Sequence, residues 1–367
     1  MSHRSRLTAL AVTAALSATA VAAPVTLAQE EEMEPVKIGF VTHVLGNPFI
    51  QQIIDGANFA ATDLGVELEV QGPPGGSAEE QIALIQGFQN AGVDGIATSV
   101  PGSTLANPIN EIVDAGTPVV QFNLLDTGVK APYVGERSVE SGRILGAAVV
   151  ELLGGAEAAG KVFVGNCFPG YPVLVNRSKG VREALATAAG LEVNAEDFDV
   201  TVDPVTNYAA WEAILTANPD AKALIGLCAP DLASLGQLQE ATPDIDFIGG
   251  GYDLTEANLA ALKGGFADVA IGQTPFMQGY LPIRMLYDVI TGAADVDLSA
   301  GGFIDAGSEV VTADSVTEPY DLPALTFGEL EALAADPEAA RAYYQPLVDG
   351  IIADWSEAVE PIENEAK

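Results

Sequence analysis

From residue 36 onward the apolar positions alternate between two spacings. Val36-Lys37-Ile38-Gly39-Phe40-Val41-Thr42 is a short, nearly continuous apolar run that reads as a buried strand. Ile50, Ile53, Ile54, Ala57, Ala60 and Ala61 then recur at three- and four-residue steps, the stripe of a helix. Between the two lie a turn, Leu45-Gly46, and Asn47-Pro48, a helix-capping residue followed by proline at the first helical position. The rhythm continues with a strand at 66–70 and a helix opened by Ser77 with Glu80 three residues on. A strand at 94–99, a helix at 103–115 and a strand at 117–122 follow. After Tyr133-Val134-Gly135 and a helix over 138–153 the pattern restarts. Strands fall at 161–166, 198–202, 222–227, 245–249 and 268–272, with helices between them and another at 275–290.

Strands alternating with helices at this spacing form right-handed βαβ units on parallel sheets. The chain is therefore expected to be α/β, with two doubly wound parallel-sheet lobes. The first lobe takes residues 35–135 and about 275–292, the second 136–274 and about 300–320. Residues 321–367 read as an acidic helical extension, with helices at 326–335 and 337–358 and a capping box of Thr326 with Glu329.

Residues 1–28 are read apart from this fold. His3, Arg4 and Arg6 precede a small, apolar run at 7–23 that lacks Asp and Glu, and Thr26-Leu27-Ala28 offers small residues for cleavage. The run is short and alanine-rich for a membrane anchor, so a cleaved signal peptide is expected. No cysteine lies nearby to carry a lipid anchor. The protein is expected in the periplasm or another extracytoplasmic space. Its 51 acidic residues against 15 basic ones, a formal charge of −36, disfavour nucleic acid and anionic membranes as partners.

The tools of catalysis are sparse. Beyond the leader the sole histidine is His43, which excludes a His-rich metal site and forces any Ser-His-Asp triad through that one residue. There is no G-x-x-x-x-G-K-[ST], no G-x-G-x-x-G after the first strand and no G-x-S-x-G. Asp231 and Asp253 could serve as a glycosidase pair, but nothing in the sequence sets them across a bond. No enzyme, cofactor or metal is expected. Ligands of parallel α/β sheets bind beyond the carboxyl ends of the strands, where Asn47 offers an amide and Phe49 a ring.

Cys167 and Cys228 end the first and third strands of the second lobe. If that lobe has strand order 2-1-3-4-5, those strands are neighbours about 4.8 Å apart, within reach of a disulfide. Export to an oxidising compartment favours that bond over two buried thiols.

Taken together, these motifs resemble the periplasmic sugar-binding proteins of ABC importers, the type I group that includes ribose-binding protein. The resemblance runs from about Val36 to Gly292. Asn47-Pro48-Phe49 resembles the family's first elbow, where the amide bonds hydroxyls and the ring stacks on the sugar. Asn123 falls where the family has an aspartate, Arg177 resembles its clamping arginine, and Gly251-Tyr252-Asp253 resembles its Gly-Phe-Asp. Gln273 resembles the glutamine at a hinge crossing. His43, Ser99, Cys167, Ala229, Asp231 and Tyr252 are second-tier candidates beside the same strand ends. Ile50 replaces the family's second aromatic, and Gly72-Pro73, Ser99 and Ala229-Pro230-Asp231 look more like the branch that takes up rhamnose or a sugar-derived autoinducer. The resemblance implies a monomer that closes on a monosaccharide or polyol and delivers it to ABC permease subunits, with a chemoreceptor as a further partner. The alternatives are a sensor for a signalling molecule and a binder of another small ligand such as a nucleoside. A sugar-responsive repressor would need a DNA-binding helix-turn-helix at the N-terminus, where this chain has its leader.

Overall fold

The computed structural model of the protein describes residues 34–317, 325–349 and 351–367, so the expected leader and residues 318–324 lie outside the described residues. In the first lobe β1 (Lys37–Val41) runs into α1 (Pro48–Leu64). Asn47 caps α1 by accepting from the Phe49 amide at 2.9 Å, and Gly65 ends it in the left-handed conformation. β2 (Glu67–Gln71), α2 (Ala78–Ala91), β3 (Gly95–Thr98), α3 (Ala106–Asp114), β4 (Val119–Phe122) and β5 (Tyr133–Gly135) follow.

The second lobe comprises α4 (Ser138–Leu152), β6 (Ala159–Asn166), α5 (Pro172–Leu185), β7 (Gly190–Val193), β8 (Phe198–Asp199), α6 (Pro204–Ala217), β9 (Ala221–Gly226) and α7 (Asp231–Ala241). It continues through β10 (Ile248–Tyr252), α8 (Glu256–Lys263) and β11 (Val269–Gly272). The chain then returns to the first lobe with α9 (Pro275–Thr291) and β12 (Phe303–Asp305), and to the second with β13 (Glu309–Val311) and β14 (Val316–Thr317). Last come α10 (Phe327–Ala335) and α11 (Pro337–Asp349).

The first sheet has the order β12-β5-β4-β3-β1-β2, every pair parallel. The second has the order β14-β13-β11-β10-β9-β6-β7, with β8 also on β6 and only the β11–β13 and β13–β14 pairs antiparallel. The inner strands of both sheets thus follow the doubly wound 2-1-3-4-5 order, whose strand ends make a ligand crevice.

Three details depart from the expectations. Residues 300–320 do not all join the second lobe: Phe303 is fully buried against Tyr133 (ring centroids 5.8 Å apart), so β12 extends the first sheet. The strand expected at 198–202 is only two residues long. Leu191 and Val193 pack on the core, so β7 takes the edge, while Phe198 stays exposed. Of the helix expected over 337–358, residues 337–349 are α-helical with Pro346 inside, and residues 351–357 are 3₁₀.

In each lobe one helix pair packs with its backbones in contact. A Cβ on Gly279 of α9 would lie 1.9 Å from the Ile53 carbonyl of α1, and one on Gly180 of α5 would lie 2.0 Å from the Val139 carbonyl of α4. Only glycine permits that approach. It fixes α5, and with it Arg177, on the second lobe.

Candidate ligand-binding site

Where the two sets of carboxyl strand ends face each other there is a cleft of about 490 Å³. From the first lobe it is lined by His43, Asn47, Phe49, Ile50, Asn123 and Leu124. The second lobe and the hinge supply Cys167, Phe168, Tyr171, Leu174, Arg177, Val202, Cys228, Ala229, Asp253 and Gln273.

All six leading candidates are here. Because the Oδ1 of Asn47 caps α1, its amide NH₂ remains to donate. Asn123 donates to Gln278 Oε1 at 3.1 Å and its carbonyl accepts from the Tyr133 hydroxyl at 2.8 Å. Arg177 is buried, pairs through Nε with Glu136, and donates from Nη1 to the Leu227 carbonyl at 2.9 Å. Its guanidinium lies 4.0 Å from the centre of the Tyr252 ring. Asp253 accepts from Gln273 Nε2, and Gln273 Oε1 is a buried acceptor with no hydrogen-bond partner. Such an orphan costs free energy unless a donor enters the cleft to meet it.

Burial pushes the Asp253 carboxyl up to about 7, against the opposing pull of Arg177. Burial also holds His43 down at about 4, while its Nδ1 lies 3.2 Å from Ser99 Oγ. At neutral pH the histidine is therefore uncharged. The backbone is strained at this crevice. Asn123 (φ 60), Asp253 (φ 73) and Thr274 (φ 49) all occupy the left-handed region. Asn and Asp tolerate it, whereas a β-branched threonine does so only under surrounding constraint.

Of the second-tier candidates, His43, Cys167 and Ala229 line the cleft. Ser99, Asp231 and Tyr252 do not, and all three are fully buried. Asp231 is occupied by structure: it accepts from Asn207 Nδ2 at 2.7 Å, Trp211 Nε1 at 3.0 Å and the Cys228 amide at 2.8 Å. It lies behind the cleft wall, so the notional acid/base pair with Asp253 does not span the opening. The Tyr252 hydroxyl bonds Ser141 at 3.0 Å while its ring backs Arg177. Cys167 and Cys228 form a disulfide that lies in the cleft wall, with Cα atoms 6.2 Å apart. Phe168 and Tyr171, stacked at 4.8 Å between ring centroids, line the same cleft as Phe49 and were missed from sequence. Their Phe-x-x-Tyr spacing before a proline-started helix is the only trace of this in the chain.

A second recess of about 570 Å³ lies under the C-terminal helices, with Leu254, Phe276, Leu330, Leu333 and Tyr344 among its walls. It lacks the convergent amides and guanidinium that mark the cleft. No group of three or more His, Cys, Asp or Glu suited to a metal occurs among the described residues, and no described helix is long and apolar enough to cross a membrane.

Known proteins share the two-lobed fold. A xylose/arabinose-binding protein of Sulfolobus acidocaldarius is 24% identical over 303 residues, 77% of this chain and 72% of that protein. A ribose import binding protein of Salmonella typhimurium is 26% identical over 261 residues, 70% of this chain and 85% of that protein. Among solved structures, a glucose-galactose binding protein from Geobacillus stearothermophilus superposes with a TM-score of 0.69 at 23% identity, over 76% of this chain and 98% of that one. Residues 38–294 match the family described as "Periplasmic binding protein domain". The two doubly wound lobes are the type I fold of that group, and the chain belongs to the periplasmic binding protein family.

Proposed function

We propose that the protein captures a neutral monosaccharide or sugar-like polyol in the cleft and hands it to the permease subunits of an ABC importer. One observation carries this reading: amide, guanidinium and carboxylate groups line one cleft together with the rings of Phe49, Phe168 and Tyr171. A sugar presents hydroxyls around its edge and C–H faces above and below. Asn47, Asn123, Arg177, Asp253 and Gln273 match the edge, and Phe49 with Phe168 and Tyr171 match the faces. Arg177 is already neutralised by Glu136, which favours an uncharged ligand over a sugar phosphate. The relatives named for xylose, arabinose and ribose make aldopentoses the first class to try.

The same reading includes export through residues 1–28 and binding without turnover. Capture works by closing the lobes around three crossings, at 135–138, 272–275 and 305–309. The test is a thermal-shift panel of pentoses, hexoses, deoxy sugars, polyols and nucleosides. A ligand at 100 times its Kd adds about 2.7 kcal/mol, a rise of a few degrees for a protein of this size. A hit on one sugar, recovered intact and lost in Asp253→Ala, is the expected result. A response to nucleosides alone would overturn the sugar reading.

A further inference from the structure

The last 40 or so residues lie outside the family match at 38–294, yet they bind both lobes. α10 buries Leu330 with Leu254, Leu259 and Leu262 of the second lobe, and Lys263 pairs with Glu331 at 2.7 Å. α11 then crosses to the first lobe. Tyr344 stacks on Phe276 at 5.0 Å, Arg341 pairs with Asp63, and buried Trp355 donates to Asp288 at 2.9 Å. Glu360 exchanges two backbone hydrogen bonds with Phe303 of β12 and pairs with Arg137 at 2.6 Å. From there the chain recrosses: Glu365 accepts from Asn176 of α5 at 3.1 Å, and the Lys367 backbone oxygen accepts from Arg143 of α4 at 2.5 Å.

Glu365 is 2% exposed, and its Oε1 has no hydrogen-bond partner. Two more buried oxygens without partners, Glu136 Oε2 and Ser138 Oγ, lie at the hinge crossing it faces. Asn176, which holds Glu365, is adjacent in sequence to Arg177, which holds Glu136 and lines the cleft. Arg177 pairs with Glu136 and also acts electrostatically on Glu365. We propose that Glu365 is a positioning residue of the ligand site: carried in by the C-terminal tail, it sets the Arg177–Glu136 pair behind the cleft and ties hinge opening to tail docking. This rests on the reading of the cleft as the ligand site.

The groups around Glu365 pull in both directions, and burial prevails. Burial and then Glu136 raise its carboxyl to about 7, against Asn176, the Ser138 amide and Arg177. The Tyr133 phenol also faces it, and Asp305, Arg137 and Glu360 form the next layer. An undocked tail returns the carboxyl to its ordinary range near 4.5. A group raised on docking supports docking fully below that range and loses the support as pH rises through about 7.

The test needs no sugar. Hydrogen exchange at 359–367, corrected for intrinsic rates, and the separation of spin labels at Thr62→Cys and Glu212→Cys are followed from pH 5.5 to 8.5. In the wild type, tail protection should fall several-fold across pH 7 while the lobes open. In Glu365→Gln, which mimics the neutral acid, protection should stay flat and high. With D-arabinose as probe, Glu365→Ala should weaken binding about tenfold and Glu365→Gln less than twofold. A wild-type profile without pH dependence, or a Glu365→Gln profile that tracks the wild type, overturns the proposal. If D-arabinose binds no variant and no wild type, the sugar reading falters while the exchange data still decide the role of the tail.

Discussion

Arg177 and Glu136 are 4% and 0% exposed, so each is costly without the other. Arg177→Met strands a buried carboxylate and should cost about 3–5 kcal/mol in urea unfolding. Adding Glu136→Gln should recover most of that stability and none of the ligand binding, which separates the pair's structural and binding roles. Asp253 is the complementary case. Sugar hydroxyls that donate to it favour its ionised form, so a carboxyl held near 7 should release a fraction of a proton on binding at neutral pH. Calorimetry in two buffers of different ionisation enthalpy should detect that release, and Asp253→Asn should abolish it. The sequence made Asp253 legible through its neighbours Gly251 and Tyr252. Thr255 caps the helix that follows, accepting from the Asn258 amide at 3.3 Å, which leaves Asp253 to the cleft. Asp231 shows the limit. Its partner Trp211 is 20 residues away on another element, and nothing local announces that contact.

Between helices, the glycine contacts decide where Arg177 stands. Gly180→Ala would drive a methyl into the Val139 carbonyl, with backbone on both sides and no flexible side chain to yield. Overpacking of this kind costs about 1–3 kcal/mol. Because α5 carries Arg177, ligand affinity should fall as well. Gly87→Ala in α2 is the control: its Cβ would meet nothing within 4 Å, and replacing a helical glycine should stabilise by up to about 1 kcal/mol. The disulfide joins the ends of β6 and β9 across 61 residues. Replacing both cysteines by serine should cost up to about 4 kcal/mol by chain entropy, read as a lower midpoint in denaturant. Its two strands could be paired from sequence because the doubly wound order makes them neighbours. The lobe that takes β12 could not, because a three-residue strand carries no preference until it meets an edge. Phe303 and Tyr133 make that choice through packing alone.

Across the whole molecule, surface charge and buried acids push stability in the same direction with pH, and salt separates them. A formal charge of −36 repels itself, and at 0.1 M salt the screening length is about 10 Å, so added salt should raise Tm at pH 8. The buried acids are beyond that screening. Asp231 stands at about 6 and Asp253 and Glu365 at about 7, all three raised chiefly by burial. Groups raised on folding contribute stability that is whole below their unfolded values, near 4, and is lost as pH climbs through 6 and 7. Stability should therefore decline from pH 5 to pH 7.5, by several kcal/mol in all. Calorimetric scans at 0.05 M and 1 M NaCl distinguish the two sources. High salt should lift the whole curve and flatten it above pH 7.5, yet leave the slope between pH 5 and 7. If 1 M salt erases that slope, the decline belongs to the acidic surface. If the slope survives and shrinks stepwise in Asp253→Asn and Glu365→Gln, it belongs to these buried carboxyls.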